Sequence, residues 1–81
     1  MSDVIGERVK QVVLRVLKIS EDAYHEELGA GDVAEWDSIN HIKLIQEIET
    51  EFSINFQIMD VINIEDVADL IEVTERYVIV K

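Results

Sequence analysis

The chain has 81 residues, and a length of this size predicts a single domain over residues 1–81. Seven basic and 18 acidic side chains give a net charge of -11, which argues against nucleic acid or an anionic membrane as the main partner because both are polyanions. The absence of cysteine excludes disulfides, thiolate zinc sites and thiol catalysis. A hydrophobic content of 48% is too high for a disordered acidic chain, so we expect a folded core.

The first segment is predicted to be an amphipathic helix with a cap at Ser2 or Asp3. Its apolar residues recur at helical spacing and form one stripe: Ile5, Val9, Val12, Val13, Val16 and Leu17. Basic residues interrupt this apolar pattern, so we expect neither a signal peptide nor a transmembrane helix, and we predict a cytoplasmic monomer.

Residues 19–37 show no sustained period and predict a long loop, in which Gly29-Ala30-Gly31 is a turn signal. Its expected anchors to the core are Tyr24, Leu28, Val33 and Trp36. Connections of this length in a small domain are usually functional or mobile. We interpret Trp36 as a packing residue, because a large buried ring can hold a loop in place.

The second half of the chain predicts three further helices. One covers 38–52, with an apolar stripe of Ile42, Ile45, Ile48 and Phe52 and with Leu44 at its edge. After a break at 53–55 and an expected buried anchor at Phe56, a short helix covers 58–63. The last helix begins near Asp66, which has the cap spacing to Asp69, although Asn63 is a competing cap. The tail 77–80 either continues this helix or frays. The predicted fold is all-α, a small four-helix bundle with a long first loop and a short third helix.

The most informative position is the junction between the long loop and the second helix. Asp37 is a natural N-cap, and its carboxylate would leave the hydroxyl of Ser38 free to point outward. A helix N-terminus also favours an attached phosphate, through its unpaired amides and the positive end of the dipole. Ser38 is therefore well placed to carry a phosphodiester, although a serine at this position is most often only a capping residue.

The chain resembles the acyl carrier protein family, the phosphopantetheine-attachment domains that also serve polyketide and nonribosomal peptide synthesis. Asp37-Ser38-Ile39 is similar to the Asp-Ser-Leu attachment motif of that family. The resemblance covers nearly the whole chain, including the long loop, and continues through Leu44-Ile45, the run 48–52, Phe56 and the run 67–71.

The resemblance implies that a separate phosphopantetheinyl transferase attaches 4'-phosphopantetheine from coenzyme A to Ser38. Cargo would then be carried as a thioester on the thiol of that arm and presented to acyl-loading and acyl-processing enzymes. The pathway would be one of fatty-acid, polyketide, peptide or surface-glycan synthesis. The carrier itself would not be an enzyme, and the magnesium used in its modification would belong to the transferase.

Trp36 and Ile39 depart from the fatty-acid carriers, which typically have a small residue before the Asp and Leu after the Ser. Carriers of this Trp-Asp-Ser type resemble stand-alone proteins of dedicated pathways. We expect partner docking at Ile39, Glu47, Glu51 and, in the third helix, Asp60.

The residues suggest three functions other than that of a carrier. The first is an acidic helical interaction module without a prosthetic group. The second is a metal-responsive switch at the acid runs Glu21-Asp22 and Glu26-Glu27, although no loop there matches the calcium pattern. The third is a hydrolase using Ser38 and His41, which we reject because no orienting group or oxyanion loop is evident. The sequence predicts no metal site.

Overall fold

Four α-helices account for most of the chain, and one long connection separates the first two. The structure is a computed structural model that describes residues 2–80, with the side chains of residues 4–79. Over residues 2–80 no strand forms, and β-type pairing is confined to two isolated bridges. The all-α prediction and the predicted limits of the second and third helices are confirmed. The helices are α1 Ser2–Leu17, α2 Ser38–Phe52, α3 Ile58–Asn63 and α4 Val67–Val80.

Helix α1 packs its predicted stripe against α2 and α4. Within the stripe Val9, Val12, Val13 and Leu17 are buried, and the other two members are half-buried against them. Valine is a mediocre helix former, so burial rather than intrinsic propensity stabilises this helix. The cap predicted at Ser2 or Asp3 lies outside the described side chains.

The buried face of α2 is narrower than the sequence suggested. Leu44, Ile48 and Phe52 follow one another at four-residue spacing and form its centre, with Ile45 beside them. Ile42 was predicted to belong to this face, and that prediction is wrong because its side chain is 56% exposed. At 3.6 residues per turn, Ile42 lies about 200° around the helix from Leu44, on the opposite side.

The long loop is anchored by the four side chains that the sequence predicted. Leu28 and Trp36 are buried, and Tyr24 and Val33 are half-buried against the core. The loop contains one 3₁₀ turn, Glu21–Ala23. These anchors hold the loop along the bundle, so its path to the start of α2 is defined by packing.

Backbone hydrogen bonds also attach the loop to the start of α4. The carbonyl of Leu28 accepts from the amide of Val67 at 2.9 Å, and the carbonyl of Glu26 accepts from the amide of Ala68 at 2.8 Å. These are two of the amides that a helix N-terminus leaves unpaired. The loop therefore serves as a cap for α4.

The side-chain cap of α4 is Asp66, as predicted. Its Oδ1 accepts from the amide of Asp69 at 2.8 Å, and Oδ2 of Asp69 accepts from the amide of Glu65 at 3.0 Å. The competing candidate, Asn63, is the last residue of α3. At the other end α4 continues through the tail to Val80.

Phe56, expected to be a buried anchor, is half-buried and packs edge-on against Tyr77, with ring centroids 5.0 Å apart. The break before it is a helix end, because Ser53 adopts the left-handed conformation with φ 56°. Within residues 2–80, no helix has the length and apolarity that crossing a bilayer requires.

Replacing Ile48 with alanine should lower the free energy of unfolding by roughly 2–5 kcal/mol, because its side chain is fully buried and its loss leaves a cavity. Urea denaturation followed by far-UV circular dichroism measures this change. The matched control is Ile58→Ala, at a side chain that is 75% exposed, where we expect a change within about 0.5 kcal/mol. Equal losses in the two variants would contradict the described core.

Candidate functional site

The loop ends and α2 begins at a well-formed helix cap. Asp37 has an extended backbone, with φ -100° and ψ -174°, and its Oδ1 accepts from the amide of Asn40 at 2.8 Å. Its carbonyl oxygen accepts from the amide of His41 at 2.8 Å. The side chain of Asn40 donates back to the carbonyl of Glu35 at 2.6 Å, which ties the first turn to the loop. The predicted N-cap at Asp37 is confirmed.

Ser38 is the first residue of α2 and is exposed to solvent. Within the described part of the chain its hydroxyl makes no hydrogen bond, and the amides of Ser38 and Ile39 have no acceptor. The equivalent amides of α4 are both bound by the loop. The start of α2 is therefore the more open of these two N-termini, with two amides and the positive end of the helix dipole facing solvent beside the hydroxyl.

An open groove of about 480 Å³ lies beside Ser38. Apolar atoms supply most of its surface, and it runs between the turn signal of the loop, the first turn of α2 and the residue that follows α3. Its lining residues are Ala30, Gly31, Trp36, Asp37, Ser38, His41 and Ile64.

Sequence reasoning missed the role of His41. Its Nδ1 accepts a hydrogen bond from Nε1 of Trp36 at 3.0 Å, and its Nε2 lies 3.3 Å from the carbonyl oxygen of Val61. Both ring nitrogens are thus engaged by groups other than Ser38, and neither is placed to act as its base. Helical periodicity carried no signal for these contacts, because Trp36 precedes the helix and Val61 contributes a backbone atom.

Two of the acids predicted to bind partners form ion pairs with arginines of α1. Oε1 of Glu47 lies 3.1 Å from Nη2 of Arg15, and Oε2 of Glu51 lies 3.0 Å from Nη2 of Arg8. The same Nη2 of Arg8 also donates to the carbonyl oxygen of Glu51 at 2.9 Å. These acids lie on the side of α2 that faces α1.

The third predicted acid, Asp60, is held by α4. The hydroxyl of Tyr77 donates to Oδ2 of Asp60 and accepts from the amide of Gln57, and Nη2 of Arg76 lies 4.0 Å from Oδ1. The hydrogen bond to Asp60 raises the pKa of Tyr77. The structure therefore does not bring the three acids together, and each is paired within the chain.

Exposed apolar side chains are concentrated on α2 and α3. We call the following set the exposed apolar surface: Ile39, Ile42, Ile58, Met59 and Ile62. Residues 38–46 contain no acid, although the chain has 18. Lys43 is exposed there and forms no ion pair with a described residue. Of the predicted docking residues, Ile39 is the one that belongs to this surface.

The acid runs of the loop do not form a cluster with metal-ligand geometry. Among the described residues no group of three or more His, Asp or Glu side chains is close enough to hold a metal ion.

Neither a protein-family model nor a curated protein matches this chain.

Removing the cap by Asp37→Ala should lower the free energy of unfolding by about 1 kcal/mol, because the amide of Asn40 loses its acceptor. Asp37→Asn is the matched control, since asparagine caps a helix about as well as aspartate and should leave the urea midpoint nearly unchanged. An asparagine variant as unstable as the alanine variant would show that the negative charge, and not the cap, carries the effect.

Proposed function

We propose that this chain is a carrier protein of the acyl-carrier type, with Ser38 as the attachment point of 4'-phosphopantetheine. The observation that supports it most strongly is the exposed Ser38 hydroxyl at the uncovered start of α2. The resemblance of Asp37-Ser38-Ile39 to the attachment motif, and its position after a long loop in a four-helix chain, agree with it.

The residues of the junction have separate roles in this proposal. Asp37 fixes the first turn of α2 through its cap and thereby keeps its carboxylate turned toward the helix backbone. Oγ of Ser38 would form the new bond to the pantetheine-side phosphorus of coenzyme A, the bond from that phosphorus to the nucleotide phosphate would break, the nucleotide would leave, and the transferase would take up the serine proton. The uncovered amides of Ser38 and Ile39 would suit the negative charge of the resulting phosphodiester, because a helix N-terminus stabilises an anion.

The surroundings of Ser38 fit such a group. The hydroxyl stands at the edge of the open groove beside Trp36 and His41, whose mostly apolar walls suit the chain of an arm. When bound, the arm supplies a nucleophilic thiol, which the cysteine-free chain lacks. The chain itself then presents cargo and leaves catalysis to the enzymes that load and process it. We place the protein in the cytoplasm as a monomer, where a coenzyme A-dependent transferase would modify it.

Partner docking is better assigned to the exposed apolar surface than to the predicted acids. Glu47, Glu51 and Asp60 are each paired within the chain, whereas Ile39 and Ile42 are exposed close to Ser38. Exposed apolar side chains of this size cost free energy in water and are typical of surfaces that bind another protein. A partner that acts on Ser38 would cover Ile39 and Ile42 from the same side.

The exposed apolar surface also supports a second candidate, an acidic helical interaction module without a prosthetic group. Its apolar contacts and the net charge of -11 would suit a partner with an apolar recess and basic surroundings. The two candidates differ at Ser38, which the module does not need.

Incubation of the purified protein with coenzyme A, Mg²⁺ and a broad-specificity phosphopantetheinyl transferase should add the mass of one phosphopantetheine group. Intact-protein mass spectrometry measures this gain, and Ser38→Ala should abolish it because the attacking oxygen is gone. Ser20→Ala is the matched control, since Ser20 is exposed and its side chain caps no helix.

An unmodified wild type, or an equal mass gain in Ser38→Ala, would reject the carrier in favour of the interaction module. A loss of modification in Ser20→Ala would show that the assay reports on folding and not on the attachment residue.

Ile42→Ser should reduce kcat/KM for the modification at least about tenfold, because burying an isoleucine side chain against a partner contributes roughly 1.5–3 kcal/mol. Ile79→Ser is the control at an exposed isoleucine on α4, outside the exposed apolar surface, and should keep the wild-type rate. Both variants should retain the wild-type melting temperature. Equal rates for the two variants would exclude Ile42 from the transferase interface.

A further inference from the structure

His41 lies where three segments meet: the end of the loop, the first turn of α2, and α3. Its contacts with Nε1 of Trp36 and with the carbonyl of Val61 use both ring nitrogens. The imidazole and indole rings are nearly coplanar, with centroids 6.1 Å apart and planes inclined by 20°. His41 therefore joins the loop segment that precedes Ser38 to α3.

The contact with Trp36 selects one tautomer of the neutral ring. The indole N–H of Trp36 can only donate, so Nδ1 of His41 must carry a lone pair. The proton of the neutral ring is then on Nε2, where it points at the carbonyl of Val61. A protonated imidazole has an N–H on both nitrogens, so its Nδ1 would meet the indole N–H donor to donor.

The indole N–H of Trp36 cannot easily replace Nδ1 of His41 with another acceptor. Trp36 is 1% exposed, so an indole N–H that loses Nδ1 has no water beside it and becomes a buried unsatisfied donor. Protonation of His41 thus favours movement of the imidazole and the indole away from each other. The contact with Val61 survives protonation, because Nε2 still donates.

Helix α3 depends on few attachments. None of its residues is buried, and Val61 is half-buried against the core. His41, Tyr77 and Arg76 of other segments make side-chain polar contacts with α3. Protonation of His41 therefore affects one of the few contacts that attach α3.

We propose that His41 is a protonation-dependent latch that holds the loop before Ser38 to α3 when the ring is neutral and releases Trp36 when Nδ1 is protonated. The latch acts on the walls of the groove beside Ser38, since Trp36 and His41 both line it. It goes beyond the proposed carrier function and does not depend on any group attached to Ser38.

Several charged groups surround the latch. Asp37 lines the same groove, but its Oδ1 is bound by the amide of Asn40. Asp60 of α3 is occupied by Tyr77 and Arg76. The titratable residues of the segments packed around His41 are Glu35 and Asp37 of the loop, Lys43 of α2, Asp60 of α3 and Glu65 of the link to α4.

The test follows the indole N–H directly. Trp36 is the single tryptophan, so ¹⁵N-labelled protein gives one indole signal. In a pH series from about 8 to about 5, this signal should shift together with the ring protons of His41. At the acid end the indole proton should exchange with solvent about tenfold faster than in His41→Gln at the same pH, as expected for local opening.

Two variants make the result specific. In His41→Gln the amide oxygen can accept from Trp36 and the amide nitrogen can donate to Val61, without titrating in this range. The indole signal of this variant should therefore stay constant with pH. His25→Gln removes the other histidine, which is exposed in the loop, and should leave the wild-type response intact.

A wild-type indole signal that ignores the titration of His41 would overturn the latch, and so would an unchanged pH response in His41→Gln. Should His41→Gln fail to fold, the wild type and His25→Gln decide the question, because the midpoint of the indole shift is compared with the ring protons of His41 itself.

Discussion

Burial of the Trp36 indole is the constraint on which the geometry of the functional site depends. The ring ends the long loop inside the core, and the next residue, Asp37, must then turn outward and cap α2. Ser38 follows directly and is left at the surface. The same ring places its N–H against His41, so a single buried side chain sets the positions of Ser38 and of the loop end, and the contact that reaches α3.

The N-termini of α2 and α4 are both capped, but their free amides have different partners. At α4 the carbonyls of Leu28 and Glu26 accept from the amides of Val67 and Ala68, so this N-terminus is covered by the loop. At α2 the cap satisfies the amide of Asn40 and leaves those of Ser38 and Ile39 open. One N-terminus thus stabilises the fold, and the other retains unpaired donors that an anionic group can use.

The sequence was sufficient where a local rule decides the outcome. Helical spacing and a capping residue located 38–52 correctly, because both signals lie within one helix. It failed for Ile42, since periodicity finds an apolar face but not which part of a broad face meets a neighbour. It also missed the pairing of Glu47 with Arg15 and the contact of His41 with Val61, because both join segments far apart in the chain and the second uses a backbone carbonyl. The attachment role that we propose for Ser38 rests on its motif and on its exposure.

The weak attachment of α3 allows the exposed apolar surface and the contact with His41 to lie at one end of the bundle without affecting its core. A six-residue helix is too short to be stable by itself, and its outward face carries three large apolar side chains. The chain on either side is firmly held, because Ile54 and Ile64 are both buried. Movement of α3 therefore need not disturb the packing of α1 against α2 and α4. Besides the packing of Val61 against the core, α3 is held by a few polar side-chain contacts, so the partner and the proton on His41 that we propose would act on a weakly attached segment.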